Sequence, residues 1–351
     1  MNLQSPYLIT DMSQEVFHCE EELKLDSGEI LPRFQISFTT QGHLTPKKDN
    51  VIWVLHALTG DANVQNWWSG LVGEDKFFDP TKYFIVCANL LGSCYGSTQP
   101  LSENPNTGKP YYYDFPNLST RDLARSFDRL REYLGIEQID TVIGSSLGGQ
   151  VALEWAYLLE EKVKHSVIIA SNAKTSPWTI GFNEAQRMSI ESDSTWGQNS
   201  PDAGKKGLEA ARAIGMLSYR HQDIFLASQG ETEEKTDNFK VSSYLRYQGQ
   251  KLANRFNALS YWVLTKAMDS HDVGRGRGGT EKALAEIKSK VLTIGINTDL
   301  LFTKEESQFI SKHVPNGTYR EISSIYGHDA FLVENEQLNY ILKSFYLENN
   351  G

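Results

Sequence analysis

A glycine-flanked serine is the strongest chemical signal in this sequence. Residues 144–148 read Gly-Ser-Ser-Leu-Gly, between the apolar pair Val142-Ile143 and a helical pattern over 150–156. This arrangement is typical of a nucleophile elbow, a tight strand-to-helix turn with no room for a Cβ atom at its flanking positions. The glycine spacing selects Ser146, because Ser145 would require a glycine where an isoleucine stands. Taken alone, the pentapeptide is equally typical of a plain glycine-rich loop.

A nucleophilic serine needs a base to take its proton and an acid to orient that base. In folds that carry such an elbow between a strand and a helix, the catalytic residues follow the order serine, acid, histidine along the chain. The β-branched run 290–296 predicts a buried parallel strand, and Asp299 follows its carboxyl end. A second run, 319–325, precedes His328 and the last helical pattern. The sequence therefore predicts Asp299 as the acid and His328 as the base.

The other histidines fit this position less well. Of eight in the chain, His328 is the one that follows a C-terminal strand in the required order. His165 opens a strand, where a structural role is the simpler interpretation. His56 begins the segment 56–61, which directly follows the strand 51–55. In folds with a nucleophile elbow, the loop at this position donates one backbone N–H to the oxyanion hole. We therefore predict the N–H groups of Leu58 and Leu147 as the two oxyanion donors.

Composition indicates a soluble cytoplasmic protein. The chain has 351 residues, 40% of them hydrophobic and 22% charged, with a net charge of −10, which argues against nucleic acid as a general partner. Its three cysteines have no metal-ligand spacing and are odd in number, so we expect a reduced compartment, and nothing in the sequence suggests a metal or a tightly bound cofactor. The first residues lack a signal-peptide pattern, and no apolar run approaches the about 18 residues of a membrane span, so no membrane association is expected.

Strand and helix patterns alternate along the chain, which predicts an α/β fold with a mostly parallel central sheet and helices on both faces. The interval from Ala170 to Val291 interrupts this alternation, since a crossover needs only about a dozen residues. We therefore expect a core domain formed by 1–175 and 286–351 and an inserted helical lid over 176–285, with an exposed acidic loop at 230–238. The apolar runs lie at Phe34–Phe38, Val51–Leu55, Tyr83–Ala88, Thr141–Ile143, Val167–Ala170, Val291–Ile296 and Tyr319–Ile325.

Several longer blocks carry a family resemblance. The chain resembles the homoserine O-acetyltransferases of the α/β-hydrolase superfamily from about residue 30 to about residue 335. One block matching by chance is plausible, whereas all of them in order are not. The blocks are His56–Asp61, Asn89–Thr98, Asp114–Pro116 with Arg121-Asp122, Ala152–Ala156, Asp269–Gly279 and Tyr326–Leu332.

The resemblance implies an activity and two further site residues. Ser146 would take acetyl from acetyl-CoA and pass it to the hydroxyl of L-homoserine in a ping-pong reaction of methionine biosynthesis. Arg212 would hold the homoserine carboxylate and Asp329 its ammonium group. The resemblance also implies a homodimer formed through the lids. From the residues alone, Arg220, Arg246 or Arg255 would serve as well as Arg212, and Asp329 could equally cap a helix. Arg275 and Arg277 could bind CoA phosphates, with structural ion pairing an equal alternative.

The sequence departs from the family pattern at three places. Ser145 and Leu147 stand where many relatives carry glycine and methionine, and the segment after Asp299 lacks a proline. These departures leave other activities open on the same fold and triad: succinyl transfer to homoserine, acetyl transfer to serine, or hydrolysis. A non-catalytic binding protein is a further alternative, which the intact triad disfavours.

Overall fold

The computed structural model describes residues 14–349, which form an eight-stranded sheet flanked by helices. The strands, including two short hairpins outside the sheet, are β1 (Gln14–Cys19), β2 (Leu23–Lys24), β3 (Ile30–Leu31), β4 (Phe34–Gln41), β5 (Val51–Leu55), β6 (Phe84–Ala88), β7 (Glu103–Asn104), β8 (Lys109–Pro110), β9 (Ile139–Ser145), β10 (Val163–Ile169), β11 (Lys290–Ile296) and β12 (Gly317–Ile322).

The described helices divide between the core and the interval from β10 to β11. They are α1 (Val64–Trp68), α2 (Thr120–Tyr133), α3 (Leu147–Leu158), α4 (Pro177–Glu191), α5 (Lys205–Tyr219), α6 (Gln222–Gln229), α7 (Lys240–Ala253), α8 (Ala258–Asp269), α9 (Thr280–Ala285), α10 (Lys304–His313), α11 (Ala330–Val333) and α12 (Asn335–Asn349), with 3₁₀ turns at Tyr112–Asp114, Glu160–Lys162 and Gly327–Asp329.

The strand order is β1-β4-β6-β5-β9-β10-β11-β12. β4 pairs antiparallel with β1 and β6, and every pairing from β6 to β12 is parallel. The predicted fold class is thus confirmed, and each of the seven apolar runs coincides with a strand, except that β12 ends at Ile322 and leaves the last three residues of its run in the following loop. β1 escaped prediction because it is an edge strand in which two of six residues are buried, so it has no continuous apolar run. The carboxyl ends of β5, β9, β11 and β12 meet at one edge of the sheet and carry the predicted catalytic loops.

Helices on both faces explain why the central strands are apolar throughout. Along β5, Val51, Trp53 and Leu55 face one core cluster, whereas Ile52 and Val54 face the other. Because side chains alternate across a strand, a strand covered on both faces needs apolar residues at every position.

Six helices, α4 to α9, fill the interval between β10 and β11, which we call the insert (residues 170–289). Its C-terminal part is joined to the core by ion pairs: Arg277 contacts the buried Glu154 at 2.8 Å, and Arg275 contacts Asp26 at 2.8 Å. The predicted acidic loop at 230–238 lies exposed between α6 and α7. Of the two interpretations of Arg275 and Arg277, the structure shows the ion pairing.

The buried His271 adds a second connection between insert and core. Its Nε2 lies 3.1 Å from the Asn172 carbonyl and its Nδ1 lies 2.9 Å from the Thr120 hydroxyl. Because a carbonyl only accepts, Nε2 carries the proton and Nδ1 accepts from threonine. Burial lowers the pKa of His271 to about 3, so the ring stays neutral at physiological pH.

Within residues 14–349, no helix is both long and apolar enough to cross a bilayer.

Two helical glycines test the packing of the insert. A Cβ at Gly207 in α5 would lie 2.5 Å from the Cα of Ile190 in α4, whereas a Cβ at Gly181 would meet nothing within 4 Å. We predict that Gly181→Ala raises the free energy of unfolding by about 0.5–1 kcal/mol through helix propensity. Gly207→Ala should lower it by about 1–3 kcal/mol through overpacking. Urea denaturation measures both, and equal stability of the two variants would contradict the close approach of α4 and α5.

Candidate active site

Ser146 occupies a strained turn between β9 and α3. Its φ is 56° and its ψ is −126°, a left-handed region that side-chain-bearing residues rarely adopt. The surrounding backbone holds it there: its N–H donates to the Ile169 carbonyl at 3.0 Å, and its carbonyl accepts from the Ser171 hydroxyl at 2.9 Å. The turn aims the serine side chain out of the sheet edge, as an elbow requires.

The glycines around Ser146 are explained by direct backbone contact. A Cβ on Gly144 would lie 2.2 Å from the Gly148 carbonyl oxygen, and one on Gly148 would lie 2.2 Å from the Leu55 carbonyl oxygen. Gly149, which the pentapeptide does not include, is equally constrained, since its Cβ would lie 2.7 Å from the Ser171 Cβ. An ordinary glycine-rich loop would not explain why a Cβ atom at each of these positions would overlap neighbouring atoms.

The family departure at Ser145 has a structural consequence. Ser145 ends β9, its side chain is buried, and its hydroxyl has no hydrogen-bond partner among the described residues. A glycine there would avoid burying an unpaired hydroxyl, which has a desolvation cost.

Asp299 is fixed by hydrogen bonds to both carboxylate oxygens. Its Oδ1 accepts from the backbone N–H groups of Leu301 at 2.8 Å and Phe302 at 2.9 Å. Its Oδ2 lies 2.6 Å from Nδ1 of His328. A carboxylate only accepts, so this bond places the proton on Nδ1 and leaves Nε2 of His328 as an acceptor. That is the tautomer a general base needs.

His328 is buried among aromatic rings. Its ring centroid lies 5.3 Å from that of Phe302, 5.4 Å from that of Phe331 and 6.0 Å from that of Tyr219. Burial disfavours the imidazolium form, but the charge and hydrogen bond of Asp299, with a smaller effect of Asp329, outweigh it. The pKa of His328 therefore lies above its ordinary value.

The loop after β11 (residues 297–303, the acid loop) is bonded to the loop after β12 (residues 323–329, the base loop). The Thr298 hydroxyl donates to the Ser324 carbonyl at 2.6 Å and accepts from the Gly327 N–H at 3.1 Å. The Asn297 side chain accepts from the Ser324 N–H at 2.9 Å. These bonds fix the position of His328 relative to Asp299, independently of the bond between their side chains.

The predicted oxyanion donors lie on two elements. Leu147 is the first residue of α3, so its N–H has no intrahelical acceptor. Leu58 lies in the loop after β5, which the buried His56 holds: His56 Nδ1 donates to the Ala57 carbonyl at 2.8 Å, and its Nε2 accepts from the Leu90 N–H at 3.2 Å. Burial lowers the pKa of His56, which keeps the ring neutral. This support role was not apparent from the sequence.

Most of the predicted side chains line one pocket. Its volume is about 80 Å³, and Ser146, His328, Arg212, Asp329 and Leu58 all contribute to its wall. Larger surface grooves exist, one of about 1090 Å³ beside α2, but none of the predicted triad residues lines them. The remaining lining residues are Ala57, Thr59, Tyr219, Met268, Phe331 and Leu332.

The arginines that the sequence left as alternatives have separate positions. The Arg212 guanidinium lies 5.4 Å from the centre of the Tyr219 ring at the pocket. Arg220 Nε contacts Asp329 Oδ2 at 3.2 Å, a pairing that the sequence did not reveal. Arg255 donates to the Thr59 carbonyl at 2.8 Å, and Arg246 lines a different groove. Asp329 precedes α11, but its side chain makes no capping hydrogen bond there.

No group of three or more His, Cys, Asp or Glu residues within 14–349 is arranged to hold a metal ion. At the pocket the structure brings together a serine, a histidine, two carboxylates and a guanidinium.

Comparison with known proteins first defines a class. The family model for the alpha/beta hydrolase fold matches residues 50–335. The structure of homoserine O-acetyltransferase from Bacillus anthracis superimposes with a TM-score of 0.87 at 24% identity, covering 95% of this chain and 97% of that one. Esterase E22 superimposes with a TM-score of 0.86 at 23% identity, covering 95% and 100%. The chain is an α/β-hydrolase-fold protein.

Closer relatives narrow the class to one family. The chain is 75% identical to a homoserine O-acetyltransferase of Cyclobacterium marinum over the whole length of both. It is 43% identical to a homoserine O-acetyltransferase of Thermus thermophilus, covering 94% of this chain and 90% of that one. The chain belongs to the homoserine O-acetyltransferase family of acyltransferase enzymes, which confirms the resemblance carried by the motif blocks.

The raised pKa of His328 predicts the pH dependence of serine acylation. With the neutral ring as the predicted base, the rate is expected to fall as pH drops through a pKa above the ordinary value of about 6.5. Asp329→Asn removes one of the charges that raise this pKa and should move the acid limb to lower pH. Asp299→Asn should move it further and reduce the rate by about 10⁴-fold.

The measurement is the pH profile of p-nitrophenyl acetate turnover, which needs no homoserine. Asp202→Asn, an exposed carboxylate in the insert, is the matched control and should leave the profile unchanged. An unmoved acid limb in Asp329→Asn would show that this carboxylate does not act on His328.

Proposed function

We propose that this chain transfers the acetyl group of acetyl-CoA to the side-chain hydroxyl of L-homoserine, through an acetyl-Ser146 intermediate, as a step of methionine biosynthesis. The observation that carries the proposal is one pocket lined by Ser146, His328, Arg212 and Asp329. The pocket combines a nucleophile and a base with one cation and one anion. The cation and the anion match the carboxylate and the ammonium group of an amino acid. The 75% identity to a homoserine O-acetyltransferase supports the same conclusion.

The first half-reaction acylates the enzyme. His328 Nε2 takes the proton of Ser146 Oγ, which attacks the thioester carbonyl of acetyl-CoA. The backbone N–H groups of Leu58 and Leu147 stabilise the oxyanion of the tetrahedral intermediate. As this collapses, the C–S bond breaks and His328 returns the proton to the departing sulfur. The products are CoA thiol and acetyl-Ser146.

The second half-reaction reverses these roles with a different nucleophile. His328 takes the proton of the homoserine hydroxyl, whose oxygen attacks the acetyl carbonyl. The new intermediate releases Ser146 Oγ, which regains its proton from His328. Arg212 would hold the homoserine carboxylate through two parallel hydrogen bonds, and Asp329 would pair with the ammonium group. CoA thus leaves before homoserine reacts, which makes the reaction ping-pong.

The lining of the pocket favours acetyl over succinyl. Leu58, Met268 and Phe331 give the pocket apolar walls, which suit an uncharged acyl group. Among the lining residues, Arg212 is the one guanidinium, and the acceptor carboxylate would occupy it. A succinyl donor would need a further cation for its free carboxylate.

The insert supports transfer over hydrolysis. Arg212 and Tyr219 from α5 and Met268 from α8 form part of the pocket wall, so the residues 176–285 act as a lid that limits access of water to acetyl-Ser146. Acetyl-CoA is used here as a substrate, with no tightly bound cofactor.

Assembly and location extend the proposal. Leu217, Leu226 and Tyr247 of the insert are more than half exposed, which supports a homodimer formed through the lids. A monomer mass from light scattering would contradict the homodimer.

The three cysteines are all free thiols, which supports a reducing cytoplasmic location. Cell fractionation would check this location.

Replacement of the nucleophile provides the main test. Thiol release from acetyl-CoA should be fast with L-homoserine, give O-acetylhomoserine by mass, and fall about 10⁶-fold in Ser146→Ala. Parallel reactions contain succinyl-CoA as donor, or L-serine or water alone as acceptor. Preference for one of these would transfer the assignment to that activity on the same triad. Ser145→Ala is the matched control, since it removes a neighbouring hydroxyl that has no partner among the described residues.

Arg212 should act on the acceptor alone. We predict that Arg212→Ala raises the KM for homoserine by about 10- to 100-fold, the loss expected for charge-assisted hydrogen bonds, and leaves acylation by p-nitrophenyl acetate near the wild-type rate. Arg246→Ala removes an arginine elsewhere on the insert and should change neither. An unchanged homoserine KM in Arg212→Ala would refute the assignment of the carboxylate site.

A further inference from the structure

The first turn of α4 contacts the acid loop through two side chains. The Trp178 indole Nε1 donates to the Leu300 carbonyl at 2.6 Å, and the Thr179 hydroxyl donates to the Leu301 carbonyl at 2.8 Å. Thr179 is fully buried, whereas the Trp178 side chain is largely exposed. Both carbonyls belong to the segment that directly follows Asp299.

These carbonyls belong to the same peptide groups that bind Asp299. The Leu300 carbonyl shares a planar peptide unit with the Leu301 N–H, and the Leu301 carbonyl shares one with the Phe302 N–H. These two N–H groups donate to Asp299 Oδ1 at 2.8 and 2.9 Å. Each peptide unit therefore accepts a hydrogen bond from α4 on one side and donates one to the carboxylate on the other. Hydrogen bonds in such chains polarise and strengthen one another.

We propose that Trp178 and Thr179 are positioning residues for Asp299, which act through the two peptide units between them and the carboxylate. This inference rests on the proposed role of Asp299 as the acid of the triad. It makes the insert a structural part of the catalytic machinery, in addition to a cover for the pocket.

The local structure keeps both donors in place. Ser176 caps α4 by accepting from the Thr179 N–H at 3.3 Å, and its hydroxyl lies 3.1 Å from the Thr179 hydroxyl. The Trp178 ring packs edge-on against Phe182 with centroids 5.0 Å apart. Pro177 occupies the first turn, where its fixed φ suits the helix.

The other end of the acid loop is held separately. Thr303 and Glu306 form a capping box at the start of α10, in which the Thr303 N–H donates to the Glu306 carboxylate at 2.9 Å. The acid loop contains no proline, and hydrogen bonds from α4 and within the capping box of α10 restrict its backbone.

The test removes each donor without changing side-chain size much. Thr179→Val should reduce kcat for p-nitrophenyl acetate about tenfold, because the buried Leu301 carbonyl loses its partner. Trp178→Phe should reduce it about threefold, because water can replace the indole at the half-exposed Leu300. The double variant should lose about 30-fold. Thr179→Ser retains the hydroxyl and should restore activity to within about twofold of wild type.

The matched controls are Trp262→Phe and Thr265→Val in α8. They remove an indole bond to Glu191 and a hydroxyl bond to the Trp262 carbonyl, both at 2.8 Å and away from the acid loop. If these controls lower kcat as much as the α4 variants do, or if Thr179→Ser is as impaired as Thr179→Val, the proposal is wrong. Thermal denaturation of all six variants identifies any that lose the fold, and Trp178→Phe tests the proposal if Thr179→Val does not fold.

Two further readouts separate positioning from general loosening of the insert. A carboxylate held less firmly raises the pKa of His328 less, so the acid limb should move to lower pH and the downfield proton resonance of the His328 Nδ1–H should move upfield or broaden. The KM for homoserine should stay within about twofold. An unchanged acid limb and resonance would overturn the proposal. Because p-nitrophenyl acetate reports the triad alone, this outcome is distinct from failure of homoserine acetylation in wild type.

Discussion

The close approach of backbone around Ser146 is the constraint on which the rest of the structure depends. Gly144, Gly148 and Gly149 bring β9 and α3 so close together, and to β5, that a single methyl group at any of them would overlap neighbouring atoms. The resulting turn keeps Ser146 at a positive φ, which is tolerated because its amide and carbonyl are both hydrogen-bonded. The same geometry starts α3 at Leu147 and places its free N–H beside the nucleophile. One steric condition thus positions both the predicted nucleophile and a predicted oxyanion donor.

The proposed acid and base depend on a different kind of interaction. Asp299 and His328 lie on loops, and loops are ordered only where their polar groups have partners. Thr298 and Asn297 bind the base loop, and the amides of Leu301 and Phe302 bind the carboxylate. The burial of His328 strengthens its interaction with Asp299, since a low dielectric screens charge less. The placement of the proposed triad therefore results from hydrogen bonds between the acid loop, the base loop and the carboxylate.

Local patterns made the core predictable, and long-range packing made the rest unpredictable. The run 290–296 gives a buried strand, so Asp299 could be placed at its carboxyl end from sequence, and His328 followed from chain order. The partnership of Arg220 with Asp329 could not be found this way, because it joins residues 109 positions apart. The bonds from Trp178 and Thr179 to the acid loop span 122 positions. The hydrophobic periodicity of the sequence does not predict which core residues an insert of six helices will contact. Arg212 was implied by the family resemblance and lies outside the motif blocks, and its sequence context alone did not distinguish it from Arg220, Arg246 or Arg255.

The insert also bears on why one scaffold accommodates both esterases and acyltransferases. Esterase E22 shares this fold with a TM-score of 0.86, so the fold by itself does not decide what attacks the acyl-enzyme. Water is always abundant, so an acceptor alcohol must be bound and oriented in order to attack the acyl-enzyme faster than water does. A bound, aligned reactant reaches an effective concentration of about 10⁵–10⁸ M, far above that of bulk water. Arg212 of α5 and Asp329 of the base loop lie on the pocket wall with Ser146, where they would align such an acceptor. Arg212 comes from the insert, so the insert would contribute one of the two side chains that align the acceptor.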